Sequence, residues 1–337
     1  MCGIIAYKGK QNANEIVLEG LKQLEYRGYD SWGIASLKDS TINIIKKTGK
    51  IGEINKIDLP DSNIAISHTR WATHGSVTEL NAHPHISQNN KIAVVHNGII
   101  ENYQELRKFL ENNGLKFKSE TDTEIIPQYI EYLMDNGKTF EQATIETLRK
   151  IEGSFAIVAI CAKSDKIIGA RRGSPLVFGL NNDEFFIASD VPAFLKHTNK
   201  VIYLDDDEYI IVNKDYKIHD LNTDKEKTKE IKTIDWTIEQ AKKGNYPHFM
   251  LKEISEQKFT IKEAIEQNPE LIEQATKAIK EAYGVFFVGC GTSYHACVSA
   301  SYLFSKVAKK HINVVIASEF RNYQHFLTDF FDLKSAL

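Results

Sequence analysis

Apolar runs of strand length recur through the first two thirds of the chain. They fall at residues 2–7, 42–46, 64–67, 92–96, 155–160, 166–170, 185–188, 201–204 and 209–212, and each is typical of a buried β-strand. Apolar residues at helical spacing predict helices at residues 16–24, 103–112 and 124–134. The last two are followed by Asn-Gly, which suits a left-handed C-cap. Many strands interrupted by a few helices favour a sheet core of two layers with helices outside.

The pattern changes after residue 221. Residues 222–232 are almost wholly polar and charged and form no apolar face, so they are the best candidate for a linker. Beyond them come two helical patterns at residues 249–267 and 271–282 and a strand-like run at 285–289. A Cys-Gly-Thr-Ser turn at 290–293, a helix from 294 onward and a second strand at 312–317 follow. This order predicts the opening of an α/β sheet. Two parallel strands are too few for a stable sheet of that kind, so we expect the second domain to be incomplete.

Composition and charge narrow the function classes. The 337 residues exceed one ordinary domain, and a formal net charge of -3 gives no reason to expect binding to nucleic acid or to an anionic membrane surface. No apolar run is long enough to span a bilayer, and the N-terminus lacks the pattern of a secretory signal. Four cysteines are too few for a dense disulfide framework. A cytoplasmic location fits these features best.

The second residue, Cys2, is a candidate nucleophile. If the initiator methionine is removed, Cys2 carries a thiol and a free α-amine together. The α-amine has a pKa of about 7.7–8.0 in model peptides, so it can serve as a base near neutrality without any histidine. The following Gly3 lets the backbone pass close to a bound substrate. Taken alone, a cysteine at this position is better explained as accidental.

Two segments at the ends of predicted strands offer hydrogen-bond donors. Arg70, within residues 68–75, can present a bidentate fork to a carboxylate, or it can be a structural arginine paired with an internal acid. Asn97 and Gly98 follow the apolar run at residues 92–95. An Asn amide beside a Gly N–H is a two-donor site for a developing oxyanion, although an ordinary Asn-Gly turn explains the same pair.

An acidic segment, Glu-Thr-Asp-Thr-Glu at residues 120–124, precedes the third predicted helix. Its Asp122 can receive a substrate ammonium. The local alternative is that Thr121 or Asp122 caps the helix, because acidic side chains are favoured in the first turn. The segment by itself favours the cap.

Together the motifs resemble the class II (N-terminal nucleophile) glutamine amidotransferases, most of all their glutamine–fructose-6-phosphate aminotransferase branch. The resemblance is carried, in family order across nearly the whole chain, by residues 2–4, 24–31, 68–75, 81–85, 96–102, 119–124, 173–176, 187–190 and 250–257. Such an ordered set is far more specific than any one motif. It implies an α+β fold, with an N-terminal αββα sandwich of the Ntn hydrolase type followed by the start of an α/β SIS (sugar isomerase) domain.

The resemblance also implies how glutamine is hydrolysed. Cys2 would attack the glutamine amide, and Asn97 and Gly98 would hold the oxyanion. A γ-glutamyl thioester would form and be hydrolysed after ammonia leaves. Arg70 would bind the substrate α-carboxylate, and Asp122 would bind its α-ammonium.

Four further residues take roles from the resemblance. Trp71, Thr73 and His74 would belong to a loop that closes over glutamine, which excludes water and directs the product. Arg27 would support the terminus that carries the nucleophile. No cofactor is predicted.

The implied domains are an amidotransferase domain at residues 1–220, a linker at 221–247, and a helical lead-in with an incomplete SIS domain at 248–337. Gly291, Thr292 and Ser293 open a helix directly after a strand, where backbone N–H groups favour a phosphate, and the resemblance implies a sugar phosphate. A glycine turn with an ordinary helix cap is the alternative. The remaining SIS segments of the family are missing, and the residues after Arg321 do not continue its pattern, so the acceptor half is expected to be incomplete.

The leading hypothesis is a glutaminase that supplies ammonia to a fructose 6-phosphate site completed elsewhere, in a protein that is a homodimer at full length. The alternative is a truncated regulatory remnant that binds glutamine or sugar phosphate without turnover. A third hypothesis is metal binding by histidines, namely His68, His74, His83, His85 and His96. Their spacing matches no zinc-site signature, and no metal site is predicted.

Overall fold

The computed structural model describes residues 2–52, 54–72, 75–235, 246 and 249–326. The chain divides into two compact units, Met1–Lys252 and Glu253–Leu337. The helices described in the first unit are α1 (Ala13–Leu24), α2 (Tyr103–Asn112), α3 (Ile125–Asp135) and α4 (Phe140–Lys150). Its described strands are β1 (Gly3–Lys8), β2 (Ser31–Lys38), β3 (Thr41–Thr48), β4 (Ile64–Arg70), β5 (His85–Ile86), β6 (Ile92–Ile100), β7 (Gly153–Cys161), β8 (Ser164–Arg172), β9 (Val177–Asn181), β10 (Glu184–Ala188), β11 (Lys200–Tyr203), β12 (Glu208–Val212), β13 (Tyr216–Asp220), β14 (Glu226–Lys227) and β15 (Lys232–Thr233).

These strands form two antiparallel sheets. The first sheet has the strand order β15-β11-β9-β10-β1-β4-β2-β3, and the second has the order β14-β13-β12-β8-β7-β6-β5. Strand β4 lies between β1 and β2, with His68 opposite Ile4 on one side and Gly33 on the other. Strand β6 pairs with β7 along its full length but with β5 only at Ala93 and Val94. The far half of one edge of β6 is therefore free of any strand partner among the described residues.

The two sheets pack face to face between layers of helices. Because side chains alternate along a strand, Ile4 and Ala6 of β1 join a core that contains residues of both sheets, whereas Ile5 and Tyr7 pack against α1. On the far side, the second sheet packs its other face against α2, α3 and α4. The layers are thus helix, sheet, sheet and helices, which confirms the predicted αββα sandwich.

Local signals explain where the helices begin and end. Asn12 caps α1 through its side chain, and Thr139 and Gln142 form a reciprocal capping box at α4. Gly114 and Gly137, which follow α2 and α3, have φ of +85° and +91°. The predicted left-handed ends of these two helices are confirmed, since glycine adopts this conformation without a steric cost.

Some elements carry a weaker sequence signal than the rest. Strand β2 is buried along most of its length but is built largely from Ser, Gly and Ala, so it lacks the run of large apolar residues that marks a strand. Helix α4 has only four apolar residues, Phe140, Ala143, Ile145 and Leu148, and the rest of it is polar. Strand β9 is interrupted by a glycine, and β13 has a polar residue at three of its five positions. The interpretation of the sequence omitted all four elements.

The predicted linker differs from what the structure shows. Within residues 221–247, Glu226–Lys227 pairs with β13 and Lys232–Thr233 pairs with β11, so this stretch lies on the edges of both sheets. The carboxylate of Glu208, which is 1% exposed, is paired with Lys227 and Lys229 from the same stretch. A charged run without apolar periodicity is here an ion-pairing segment and not a free connection. The domain boundaries themselves stay a prediction.

The second unit begins with two helices and a parallel strand pair. Its described elements are α5 (Phe249–Ile265), α6 (Pro269–Glu281), β16 (Phe286–Gly289), α7 (Gly291–Leu303) and β17 (Asn313–Ile316), with α5 starting just before the division. Strands β16 and β17 are parallel, with Phe286 opposite Asn313, which confirms the predicted opening of an α/β sheet. No helix among the described residues of either unit is long and apolar enough to cross a membrane.

The core between the sheets generates a stability prediction. Ile66 is fully buried there, whereas Ile54 is 37% exposed in a loop. Ile66→Ala should lower the free energy of unfolding by about 2–5 kcal/mol, because a cavity replaces part of a close-packed side chain. The matched change Ile54→Ala should cost less than about 1 kcal/mol. Urea unfolding followed by circular dichroism measures both, and equal costs would contradict the assignment of this core.

Candidate active site

The site lies where three rows of core side chains end. Cys2 is two residues before Ile4 in the alternation of β1. His68 and Arg70 continue the row that Ile64 and Ile66 begin in β4. Because alternate residues of a strand share a face, all these side chains point toward the second sheet. The apolar rows fill the core, and their last members are polar groups at one end of the sandwich.

Asn97 reaches the same end from the opposite sheet. It follows Ala93 and Val95 in the inward row of β6. Its Nδ2 donates to the carbonyl oxygen of Cys2 at 3.1 Å, and its Oδ1 lies 3.0 Å from Nε2 of His68. Asn97 therefore bridges the two sheets at the nucleophile candidate.

The thiol of Cys2 lies against the backbone of Trp71. The sulfur accepts a hydrogen bond from the Trp71 N–H at 3.2 Å, and it lies 3.6 Å from the Trp71 carbonyl oxygen. No side-chain base is hydrogen-bonded to the sulfur among the described residues. Burial raises the pKa of the Cys2 thiol, although the Trp71 N–H and the charges of Arg70 and Arg27 oppose the shift. A thiol of this kind needs a base to become a nucleophile near neutral pH.

The Asn-Gly pair at residues 97–98 is not a turn. Strand β6 continues through it to Ile100. The His96 N–H donates to Nδ1 of His83 at 3.3 Å, and the Ile100 N–H donates to Oδ2 of Asp122 at 2.8 Å. Strand alternation places the Gly98 N–H on the same edge as that of His96, beside the cavity that Gly98 lines with Cys2.

Gly98 is also required by space. Its φ is +125°, and a Cβ at this position would lie 1.9 Å from the carbonyl oxygen of Ser154 in the neighbouring strand. Any side chain would displace β7 or the edge that bears the amide. A glycine lets the backbone approach both its partner strand and the cavity.

Arg70 lies at the end of β4 and is almost fully buried. It donates to the carbonyl oxygen of Ser76 at 3.2 Å, which holds the segment after Trp71. Burial lowers the pKa of the guanidinium, and the nearby charges of Cys2, Asp122 and Asp30 oppose that shift. Arg70 lines the same cavity as Cys2, Trp71 and Asp122.

The acidic segment forms the wall opposite Arg70. Helix α3 starts after Glu124 without any side-chain cap, so Asp122 is not a helix cap. Asp122 is buried and accepts from the Ile100 N–H. Glu120 accepts from Ser76 and from Asn81, and these hydrogen bonds lower the pKa of its carboxyl to about 2. The Glu120 carboxylate thereby ties the loop after β4 to the loop before α3.

Four histidines are buried at the cavity, and all but His85 line it: His68, His83, His85 and His96. The rings of His68 and His83 stack with centroids 4.2 Å apart, and His83 meets His85 edge to face at 4.7 Å. Burial lowers the pKa of each ring, to about 3 for His68, so the cluster is neutral at physiological pH. Within the described residues no three His, Cys, Asp or Glu side chains are arranged to hold a metal ion.

Arg27 and a partner missed by the sequence argument hold the first residues of β1. Nε of Arg27 donates to the Cys2 carbonyl oxygen at 3.1 Å, and Nη1 pairs with Asp190 at 2.9 Å. Gly28 lets the segment after Arg27 pass close to β4, because a Cβ there would lie 2.8 Å from the backbone of Arg70 and Trp71. Asp190 lies in a segment, residues 187–190, that already carried the family resemblance.

A second missed residue positions the Trp71 segment. Asp30 accepts from the Ala72 N–H at 2.8 Å, and its own N–H donates to the Arg70 carbonyl oxygen at 3.0 Å. Asp30 belongs to the motif at residues 24–31, so a signal existed, but its role needs a contact 40 residues away. Thr73 and His74, predicted to close over glutamine, lie outside the described residues.

In the second unit, Cys290 is the N-cap residue of α7, and Gly291, Thr292 and Ser293 form its exposed first turn. Gly291 has φ of +54°. This is the predicted strand, glycine turn and helix. Binding of a sugar phosphate at these three residues stays a prediction.

Comparison with known families places two domains on the chain. Residues 68–196 match the glutamine amidotransferase domain family, and residues 278–329 match the SIS domain family. The second match covers the helix–strand unit that contains β16 and β17.

Relatives named glutamine–fructose-6-phosphate aminotransferase (isomerizing) match almost the entire chain. The chain is 46% identical to that of Methanothermobacter thermautotrophicus over 98% of its own length and 56% of the relative. It is 46% identical to that of Pyrococcus horikoshii over 100% of its length and 57% of the relative, and 43% identical to that of Clostridium acetobutylicum over 97% and 56%. The chain spans about half the length of the curated relatives it matches.

Solved structures support the fold. An allosteric regulatory enzyme of purine biosynthesis aligns with a TM-score of 0.57 and 26% identity, covering 66% of this chain and 49% of that one. Glutamine phosphoribosylpyrophosphate amidotransferase from B. subtilis aligns with a TM-score of 0.56 and 22% identity, covering 94% and 65%. At the latter identity the similarity is evidence for fold alone.

The histidine cluster predicts how stability depends on pH. Each buried ring has a pKa below that of an unfolded histidine, about 6.5, so the unfolded chain binds protons that the native chain does not. The contribution of the neutral histidines to the free energy of unfolding should be complete above pH 6.5. It should fall as the pH drops toward 4, by about 1.4 kcal/mol per pH unit for each histidine. Urea unfolding at pH 7.5, 6.0 and 5.0 measures this slope.

A single substitution checks the origin of that slope. His85→Gln removes one titrating ring while leaving a polar group near Thr121, the partner of the His85 ring. Between pH 6.5 and 5.0, the free energy of unfolding of the variant should fall less steeply with pH, by the contribution of about one proton. An unchanged slope would mean that acid destabilisation arises elsewhere.

Proposed function

The chain belongs by sequence to the glutamine–fructose-6-phosphate aminotransferase family of glutamine amidotransferases, and from this premise we propose that its first unit hydrolyses glutamine with Cys2 as the nucleophile. The observation that carries the proposal is the convergence on one cavity of Cys2, Arg70, Gly98 and Asp122. This cavity offers a thiol, one N–H donor, a cation and an anion, and Asn97, which lines a neighbouring cavity with Cys2 and Gly98, adds a second N–H donor. Together these are the groups that an α-amino acid amide requires.

The amino-acid end of the substrate is held by opposite charges. Arg70 is the cation of the cavity, and its planar guanidinium matches a carboxylate. Asp122 lines the same cavity; its Oδ2 accepts from the Ile100 N–H at 2.8 Å, and among the described residues its Oδ1 accepts only a long hydrogen bond of 3.4 Å from Thr123, so it is suited to an α-ammonium. Trp71, Thr73 and His74 would complete the glutamine site as a closing loop.

In the proposed reaction the sulfur of Cys2 attacks the amide carbon of glutamine. The thiol proton passes to the α-amine that methionine removal exposes on the same residue, because no side-chain base is hydrogen-bonded to the sulfur among the described residues. The negative charge that develops on the amide oxygen is stabilised by Asn97 Nδ2 and the Gly98 N–H.

Breakdown of the intermediate releases the product nitrogen. The α-ammonium returns its proton to the leaving nitrogen, the carbon–nitrogen bond breaks, and ammonia departs. Water then adds to the γ-glutamyl thioester, which yields glutamate and regenerates the thiol. Arg27 supports this chemistry by holding the Cys2 carbonyl oxygen at 3.1 Å.

For the whole protein we propose that the ammonia is transferred to fructose 6-phosphate, the acceptor in the name of the relatives, and that the product is glucosamine 6-phosphate. Gly291, Thr292 and Ser293 would contribute one edge of a sugar-phosphate site. Segments that correspond to the part of the relatives not spanned by this chain would supply the remainder. A cytoplasmic location and a homodimer of the full-length form belong to the same proposal. A remnant that binds glutamine without turnover is the competing function.

The terminus of the chain gives the decisive test. Protein cleaved from a removable leader so that Cys2 is the first residue should release glutamate from glutamine, whereas protein that keeps a residue before Cys2 should not. Loss of the free α-amine removes the base, and Cys2→Ala removes the nucleophile. Glutamate assay together with mass spectrometry of the N-terminus separates these forms.

The same assay distinguishes turnover from binding. A glutamine analogue carrying an electrophilic group at the amide position should add its mass to the peptide that contains Cys2. Equal turnover by the extended form would contradict the mechanism, and saturable glutamine binding without glutamate release would favour the non-catalytic remnant.

Arg70 provides a test of substrate recognition. Arg70→Lys keeps the charge but loses the planar fork, so the KM for glutamine should rise about 10- to 100-fold, in line with about 1.5–3 kcal/mol for hydrogen bonds to a charged group. Arg149→Lys, on α4 with its guanidinium bonded to Leu221, is the matched control and should leave KM unchanged. An unchanged KM in the Arg70 variant would show that the substrate carboxylate binds elsewhere.

A further inference from the structure

His68 has no role in the proposed reaction, yet it touches the residue that does. It is fully buried in β4, an interior strand of the first sheet, and its Nε2 lies 3.0 Å from the Asn97 side chain. The same nitrogen lies 3.0 Å from the carbonyl oxygen of His96. The question is which of these atoms donate, because that decides how the Asn97 amide points.

The Cys2 carbonyl oxygen fixes the orientation of the Asn97 amide. A carbonyl oxygen only accepts hydrogen bonds, so the NH2 group of Asn97, at 3.1 Å, must be the end that faces it. The Asn97 carbonyl oxygen then faces His68. Exchanging the two ends would bring two acceptor oxygens together at Cys2.

The tautomer of His68 follows from the same reasoning. Both neighbours of Nε2, the His96 carbonyl oxygen and the Asn97 Oδ1, are acceptors, so Nε2 must carry the proton and donate to both. Nδ1 has no hydrogen-bond partner within the described part of the chain, which suits a nitrogen without a proton. Burial, with the pKa held at about 3, keeps the ring neutral and in this one form.

The ring itself is held in place by its neighbours. His83 stacks on it with centroids 4.2 Å apart, and Nδ1 of His83 accepts from the His96 N–H at 3.3 Å. The carbonyl oxygen of the same residue, His96, accepts the hydrogen bond from His68 Nε2. Backbone and rings thus fix the position of the donor before any substrate binds.

We propose that His68 is a positioning residue that, as a neutral Nε2–H donor, locks the Asn97 carboxamide with its NH2 group toward Cys2 and the oxyanion. With Oδ1 held by His68 and one N–H donated to the Cys2 carbonyl oxygen, the second N–H of Asn97 is left to point into a second cavity, which Asn97 lines with Cys2 and Gly98. Cys2 and Gly98 also line the cavity that contains Arg70 and Asp122. Without His68 the amide can turn over and present its oxygen to the developing negative charge. This role rests on the proposed glutaminase function.

The expected signature is a loss of rate without a loss of binding. His68→Leu should lower kcat about 10- to 100-fold, approaching the 10²–10³-fold cost of losing an oxyanion donor, with KM changed less than about threefold. His68→Gln retains a side-chain N–H near the position of Nε2 and should recover most of the rate. His197→Leu removes another packed imidazole, stacked on Phe186, and should leave kcat unaltered.

A double-mutant cycle separates positioning from packing. If His68 acts through Asn97, adding His68→Leu to Asn97→Ala should lower kcat by less than about threefold, because the donor is already gone. Full multiplication of the two single effects would overturn the proposal. So would equal losses in His68→Gln and His68→Leu.

Nuclear magnetic resonance tests the geometry without turnover. Long-range proton–nitrogen correlation on histidine-labelled protein, with the His68 signal assigned from the His68→Gln variant, should show a proton on Nε2 alone from pH 5 to 8. A proton on Nδ1, or a charged ring in that range, would refute the positioning role even if glutamine is hydrolysed. Absence of glutaminase activity with the expected tautomer would instead count against the proposed function and leave the His68 geometry supported.

Discussion

Close packing of two antiparallel sheets is the constraint on which the rest of this structure depends. Each strand must give alternate side chains to the space between the sheets, and that space accepts only apolar groups over most of its length. Where the rows run past the core, the next inward positions belong to Cys2, His68, Arg70 and Asn97. The chemistry is therefore built on rigid strands, and the groups meet because their rows end at one edge.

Most polar groups at this depth are tolerated because they are hydrogen-bonded, although His68 Nδ1 has no partner among the described residues. A buried group that loses a partner costs about 1–3 kcal/mol, and more if it is charged. The Cys2 carbonyl oxygen accepts hydrogen bonds from Arg27 and Asn97, and Asp122 accepts one from a backbone amide. The histidines remain neutral. Those neutral rings lower the stability of the fold at low pH, whereas at neutral pH they pack behind Asn97.

The two units differ in how far they are stabilised by their own residues. The first encloses three groups of buried apolar side chains, and its charged final segment neutralises the buried Glu208 through Lys227 and Lys229. In the described part of the second, Ile312 and Val315 are the buried apolar residues, and helices α6 and α7 bury none. The first unit thus encloses its own core, whereas the described part of the second leaves most of its apolar side chains partly or fully exposed.

The sequence by itself determined the strands with large apolar runs, the helices that end at Asn-Gly, and the parallel strand pair of the second unit. It did so because period, length and turn chemistry are local properties. It also identified Cys2, Arg70, Asn97 and Asp122 as candidates through ordered motifs. Only the tertiary structure decided between local alternatives: residues 97–98 continue a strand, Asp122 accepts from Ile100 and caps no helix, and residues 226–233 pair with both sheets. The roles of Asp30, His68 and Asp190 were likewise hidden, since each acts through a contact with a residue distant in sequence, and no local pattern records which distant groups packing will bring together.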